Sequence, residues 1–241
     1  MRNFIELLDN IVLLEGGNIW KNELSTKRIN KEDVLTTIKF LEQITGLSLR
    51  NNLLGSTGLK PSSGDIDVAV DTSKINKEEL QKKLDQWANK NDKTALTKKS
   101  GVSVHFRTPI NGNPDNGYVQ TDFMFVDDIP FAKWSMSAPI SKFRGDHKHI
   151  VLASVAKALG LRWSFLNGLS SRLTGNPLRG GKDPDYVAKT LFGEKANKST
   201  ISSVENMLAS LENDPDKEKK LADARVTLAK ELADYENGLK K

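Results

Sequence analysis

Ser63-Gly64-Asp65-Ile66-Asp67-Val68-Ala69-Val70 is the stretch on which the fold turns. Gly55-Ser56-Thr57-Gly58 lies just before it, and Tyr118-Val119-Gln120-Thr121-Asp122-Phe123-Met124-Phe125-Val126 follows later. Side chains alternate between the two faces of a strand. Asp65 and Asp67 therefore share one face, while Ile66, Val68 and Val70 point the other way, into a core. Asp122 is the lone carboxylate of a second apolar run, placed to join the first two. Crowded carboxylates repel one another unless something positive joins them. Mg²⁺ suits that place, because it takes hard oxygen ligands and leaves room for phosphate oxygens. The pattern points to metal-dependent phosphoryl or nucleotidyl transfer.

The loop before the acidic strand fits the same chemistry. Glycine lets backbone N–H groups turn toward a phosphate, and the Ser56 and Thr57 hydroxyls are candidates to bind its oxygens. No lysine-serine pair follows at the spacing of the Gly-rich ATPase loop, and the loop is not a dinucleotide fingerprint.

Working outward, Phe4 to Leu14 reads as a short helix broken by Gly16-Gly17. Asn30 reads as a helix cap, and Val34, Leu35, Ile38, Leu41 and Ile44 repeat at helical spacing up to Gly46. Leu47 to Leu54 is read as a first strand. Asn76 with Glu79 forms a capping box, opening a helix that carries Leu80, Leu84 and Trp87. Val102, Val104 and Phe106 alternate with Ser103, His105 and Arg107, which predicts a strand with one wet face. Residues 127–145 read as an interruption. Further helices are predicted over Asp146–Leu159, Thr200–Leu211 and Pro215–Tyr235, with 165–199 irregular between short helices.

Across 241 residues the apolar fraction is 37%, enough for a real core, and the net charge is +5. No cysteine occurs, which excludes disulfides, thiolate catalysis and cysteine-ligated zinc, and suits a reducing compartment such as the cytoplasm. The first residues read poorly as a signal peptide, and no apolar run reaches membrane-spanning length. From Lys133 to Arg172 the bases Lys133, Lys142, Arg144, Lys148, Lys157, Arg162 and Arg172 face the single acid Asp146. Such an excess fits a triphosphate or a nucleic-acid backbone.

Arg107 and His105 are candidate phosphate contacts if their strand face lines the site. Lys142-Phe143-Arg144-Gly145-Asp146-His147-Lys148-His149 crowds bases at a helix start, where Asp146 is read as the cap and Arg144 and Lys148 as phosphate-binding candidates. Arg179-Gly180-Gly181-Lys182 is read as a basic loop able to cover a substrate. Asp71, Asp127 and Asp128 are read as strand-end acids, solvated or capping.

Taken together, Gly55-Ser56, Asp65-x-Asp67 and Asp122 resemble the DNA polymerase beta-like nucleotidyltransferase superfamily over roughly residues 35–130. The order of predicted elements gives an α/β fold of the α+β kind, a small mixed-sheet core followed by a mainly helical domain. With the break near 127–145, the expected domains are a helical extension (1–30), a catalytic domain (31–130) and a helical substrate- or partner-binding domain (131–241). The resemblance implies two Mg²⁺ ions, or Mn²⁺, held by Asp65, Asp67 and Asp122, with a nucleoside triphosphate at Gly55, Ser56 and Thr57. A nucleoside monophosphate would pass to a hydroxyl, with nucleic acid slightly favoured as acceptor over a small molecule or a protein. The rival expectation is a catalytically silent relative that binds nucleic acid or proteins within an assembly.

Overall fold

Alternating apolar residues and helical repeats set the elements of residues 29–126. The computed structural model describes residues 4, 19–20, 24–137, 141, 143 and 145–237. The described elements run from β1 (Ile29–Asn30) and α1 (Lys31–Thr45) through β2 (Ser62–Ser63), β3 (Asp65–Asp71) and α2 (Lys77–Asn91). They continue as β4 (Thr97–Ser100), β5 (Ser103–Pro109), β6 (Tyr118–Val126) and α3 (Ile129–Met136). Then come α4 (Gly145–Ala158), β7 (Leu161–Ser164), β8 (Gly168–Ser171), α5 (Pro184–Phe192), α6 (Val204–Ser210) and α7 (Lys217–Glu236). The fold is α/β in the α+β sense, a small mixed sheet flanked by helices and followed by further helices. The chain divides into two compact units, Gly16–Trp134 and Met1–Glu15 with Ser135–Lys241.

The first unit is built on a four-stranded sheet of order β3-β6-β5-β4, in which β3 and β6 are parallel and the other pairs antiparallel. One sheet face carries Ile66, Val68, Val70, Val104, Phe106, Val119 and Phe123, all buried with Val34, Ile38 and Leu41 of α1 and Leu80 and Leu84 of α2. Trp87 stands edge-on to Phe40 and Phe106 at this face. Thr108 and Thr121 are also buried on it, and the Thr108 hydroxyl donates to Thr121 Oγ1 at 2.7 Å. Gly46 ends α1 in the left-handed conformation that its missing Cβ permits. The capping box of α2 is formed as read, with Asn76 Oδ1 accepting from Glu79 N–H and Glu79 Oε2 from Asn76 N–H.

In the second unit α4 buries Val151, Leu152, Val155 and Ala156, as its nearly all-round apolar sequence predicts. It packs on α7, whose Leu221, Ala224 and Leu228 are buried. Buried Ser154 joins the two helices, donating to Lys220 O at 2.6 Å and accepting from Ala224 N–H at 3.0 Å. No helix among the described residues is long and apolar enough to cross a membrane.

Several expectations are corrected. Leu47 to Leu54 is not a strand. The Glu42 carboxylate takes the N–H groups of Leu49 and Arg50, a 3-10 turn follows at Arg50–Asn52, and only Leu53 bridges to Val68. The interruption at 127–145 contains α3, started by Asp128, whose Oδ1 accepts from Phe131 N–H at 2.9 Å. Residues 161–171 form the β7–β8 hairpin. α6 begins at Val204, four residues later than predicted, because Ser203 supplies the cap. Apart from Phe4, the helix read over Phe4 to Leu14 lies outside the described residues.

Candidate metal centre

The parallel register of β3 and β6 sets Asp67 directly opposite Asp122, and Asp65 opposite Gln120. All four side chains lie on the face away from the core. Asp65, Asp67 and Asp122 each offer a carboxylate oxygen, and these oxygens lie within 4.8 Å of one another. The three acids are half-buried. The cluster is a candidate divalent-metal site. Its donors are all hard oxygens, which suits Mg²⁺, Mn²⁺ or Ca²⁺ rather than a thiophilic ion.

The loop read as phosphate-binding is bound to Asp67 itself. β3 is an edge strand, and the loop occupies its open side. Leu54 N–H donates to Asp67 O at 2.9 Å, and Asp67 N–H donates to Thr57 Oγ1 at 3.1 Å. Both backbone polar groups of Asp67 are thus held by residues flanking Gly55-Ser56. Gly55 has φ +59°, and a Cβ there would stand 3.3 Å from Asp67 Oδ2. The glycine is required both by this backbone conformation and by the closeness of the carboxylate. Gly55→Ala is therefore expected to destabilise the chain by about 1–2 kcal/mol through its left-handed backbone. A urea midpoint beside the unsubstituted protein measures it, and an unchanged midpoint contradicts this account of the loop.

The remaining candidates fall in several places. Ser56 is exposed on the loop beside Gly55. Thr57, expected to offer its hydroxyl to a phosphate, is 5% exposed and that hydroxyl accepts from the Asp67 amide, so it shapes the loop. The predicted wet face is covered at Ser103, Arg107 and Gln120, all buried. The Arg107 guanidinium donates to Thr94 O and Ser25 O and stacks on the Tyr118 ring 3.5 Å from its centroid. Those partners commit it elsewhere, and it is not brought to the carboxylates as a phosphate contact. His105 stands opposite Asp122, its Nδ1 2.7 Å from Asp122 Oδ1, an acid partner where phosphate was expected.

Lys142 and Arg144 lie outside the described residues. Lys148 belongs to the second unit and is buried, where its ammonium donates to Ser137 O and desolvation pushes its pKa down to about 8. It is a core residue of α4 rather than a solvated base. His149 is held neutral, its pKa pushed to about 3 by burial and then by Lys148, and its Nδ1 accepts from Trp163 Nε1 at 3.0 Å. Asp146 is the second residue of α4 rather than its cap. Asp71 and Asp127 are occupied at strand ends, Asp71 by Ser73 and Asp127 by the Thr72 hydroxyl. Of the bases read as one patch, Lys157 pairs with Asp223 and Lys133 donates to Asn51 O, while Arg162 and Arg172 are exposed.

Sequence reading missed Gln120, whose Nε2 donates to Asp122 Oδ2 at 3.1 Å. Its signal was the two-residue period that places Gln120 and Asp122 on one face. Neither the comparison with protein-family models nor that with curated proteins gives a match.

Proposed function

We propose that this chain is a metal-dependent nucleotidyltransferase that moves a nucleoside monophosphate from a nucleoside triphosphate to a hydroxyl acceptor. The observation that carries this reading is the convergence of Asp65, Asp67 and Asp122 beside the Gly55 loop, on neighbouring parallel strands. A sheet held together only by its core gains nothing from three like charges on one face. Asp65, Asp67 and Asp122 are assigned the cation, with Asp67 the acid nearest the loop. A bound divalent cation there would neutralise charge on the phosphates and lower the pKa of the acceptor hydroxyl.

The chain's own residues would position the substrate. Ser56 is assigned a hydrogen bond to a triphosphate oxygen, and the backbone from Gly55 the close approach that such a phosphate needs. Thr57 and Leu54 fix that loop through the Asp67 backbone. Ser56→Ala is expected to weaken binding of a non-hydrolysable triphosphate by about 1.5–3 kcal/mol, the range for hydrogen bonds to charged groups. Titration calorimetry with Mg²⁺ present measures it, and unchanged affinity removes Ser56 from the site.

A nucleic-acid acceptor is favoured by the net charge of +5 and by exposed Arg162 and Arg172. The test is incubation with each α-labelled triphosphate and Mg²⁺, with and without total RNA. The reading predicts metal-dependent movement of label to an acceptor, and its position separates RNA, protein and small-molecule acceptors. No transfer from any triphosphate with any of these acceptors contradicts it.

A further inference from the structure

Asp122 is the only member of the acidic cluster supplied by β6, so the cluster depends on how that one carboxylate is turned. Asp65 and Asp67 repel it, and a lone aspartate would rotate about its side-chain bonds away from them. Two donors oppose this. His105 Nδ1 meets Asp122 Oδ1 at 2.7 Å, and Gln120 Nε2 meets Asp122 Oδ2 at 3.1 Å. The registers put His105, Asp122 and Asp67 side by side in one row across β5, β6 and β3.

Proton positions follow from the partners. An ionised carboxylate only accepts, so the hydrogen in the His105–Asp122 bond belongs to Nδ1. The Gln120 amide is fixed separately, because its Oε1 accepts from Ile19 N–H at 2.9 Å, which turns Nε2 toward Asp122. Each Asp122 oxygen accepts one of these hydrogen bonds and keeps lone-pair capacity for a cation. His105 and Asp122 side chains are only 12% and 16% exposed, so water competes poorly for the bond.

We propose that His105 is a positioning residue of the metal centre, holding Asp122 through Nδ1–H in the orientation that meets Asp65 and Asp67. This rests on the metal reading above. Gln120 supports the same carboxylate, but it also holds the Ile19 amide, so His105 is the cleaner probe. Partners that orient metal ligands are worth about 10–100-fold in metal affinity.

The experiment is Mn²⁺ titration of the full chain followed by electron paramagnetic resonance, with melting curves in chelator. The proteins are the unsubstituted chain, His105→Phe and His105→Asn. Phenylalanine keeps a ring without a donor, and asparagine places an amide N–H near the position of Nδ1. His105→Phe should bind Mn²⁺ about 10–100-fold more weakly. His105→Asn should recover most of that loss. Equal affinity in the unsubstituted chain and folded His105→Phe overturns the inference and leaves the metal reading standing. Loss without recovery in His105→Asn overturns it too, since the ring's packing and not its hydrogen bond would then matter. An unsubstituted chain that binds no Mn²⁺ overturns both. Nitrogen-15 spectra of the unsubstituted chain with Mg²⁺ give a measurement that needs no variant to fold. They should show His105 protonated at Nδ1, and a bare Nδ1 overturns the inference.

Discussion

Asp67→Asn should lower nucleotidyl transfer by at least about 100-fold, the cost of one preorganised electrostatic contact to the transition state. Asn matches Asp in size, and both backbone bonds of residue 67, to Leu54 and Thr57, survive the change. What disappears is one negative charge in a cluster whose carboxylate oxygens lie within 4.8 Å of one another. The proposed cation then loses an anionic ligand beside the Gly55-Ser56 loop. Folding should respond in the opposite sense. Without metal, the three acids repel, so the melting temperature in chelator should stay level or rise. Transfer rate and melting curve are read together, because activity lost with the fold says nothing about chemistry. Near-normal transfer by a folded Asp67→Asn chain would move the account toward a silent binding module.

Phe123→Ala carries the largest expected stability change, a loss of about 3–5 kcal/mol. Phe123 is fully buried at the middle of β6, between Val68 of β3 and Val104 of β5, both also fully buried. Truncation leaves a cavity at the centre of the sheet that carries the carboxylates on its other face. Neighbouring side chains relax only in part, so the lost contacts are not recovered. The urea midpoint measures the loss. A change below about 1 kcal/mol would place Phe123 outside the core that this packing defines.

Residues 65–71 and 118–126 were legible because the carboxylates alternate with core residues along each strand. Ile66, Val68 and Val70 are buried while Asp65 and Asp67 are not, so the two-residue period reports the sheet and the acidic face at once. Asn76 and Glu79 were equally legible, since a capping box is a local hydrogen-bonding device. The misreadings depend on partners distant in sequence. Arg107 looked solvated on an alternating strand, yet Ser25, Thr94 and Tyr118 cover its guanidinium. Thr57 looked free to meet phosphate until the Asp67 amide claimed its hydroxyl. A local misreading is the interruption over 127–145, since proline is tolerated in a first helical turn and Asp128 caps the turn that holds Pro130. The four-residue strands β7 and β8 are too short for alternation to stand out.

In the proposed function, Asp65, Asp67 and Asp122 hold one metal centre against a triphosphate. Crystals grown with Mn²⁺ and a non-hydrolysable triphosphate test this directly through the anomalous signal of manganese. A manganese peak is expected within coordination distance of Asp65, Asp67 and Asp122, with the triphosphate beside Gly55-Ser56. Manganese elsewhere, or a triphosphate bound away from this cluster, would contradict it.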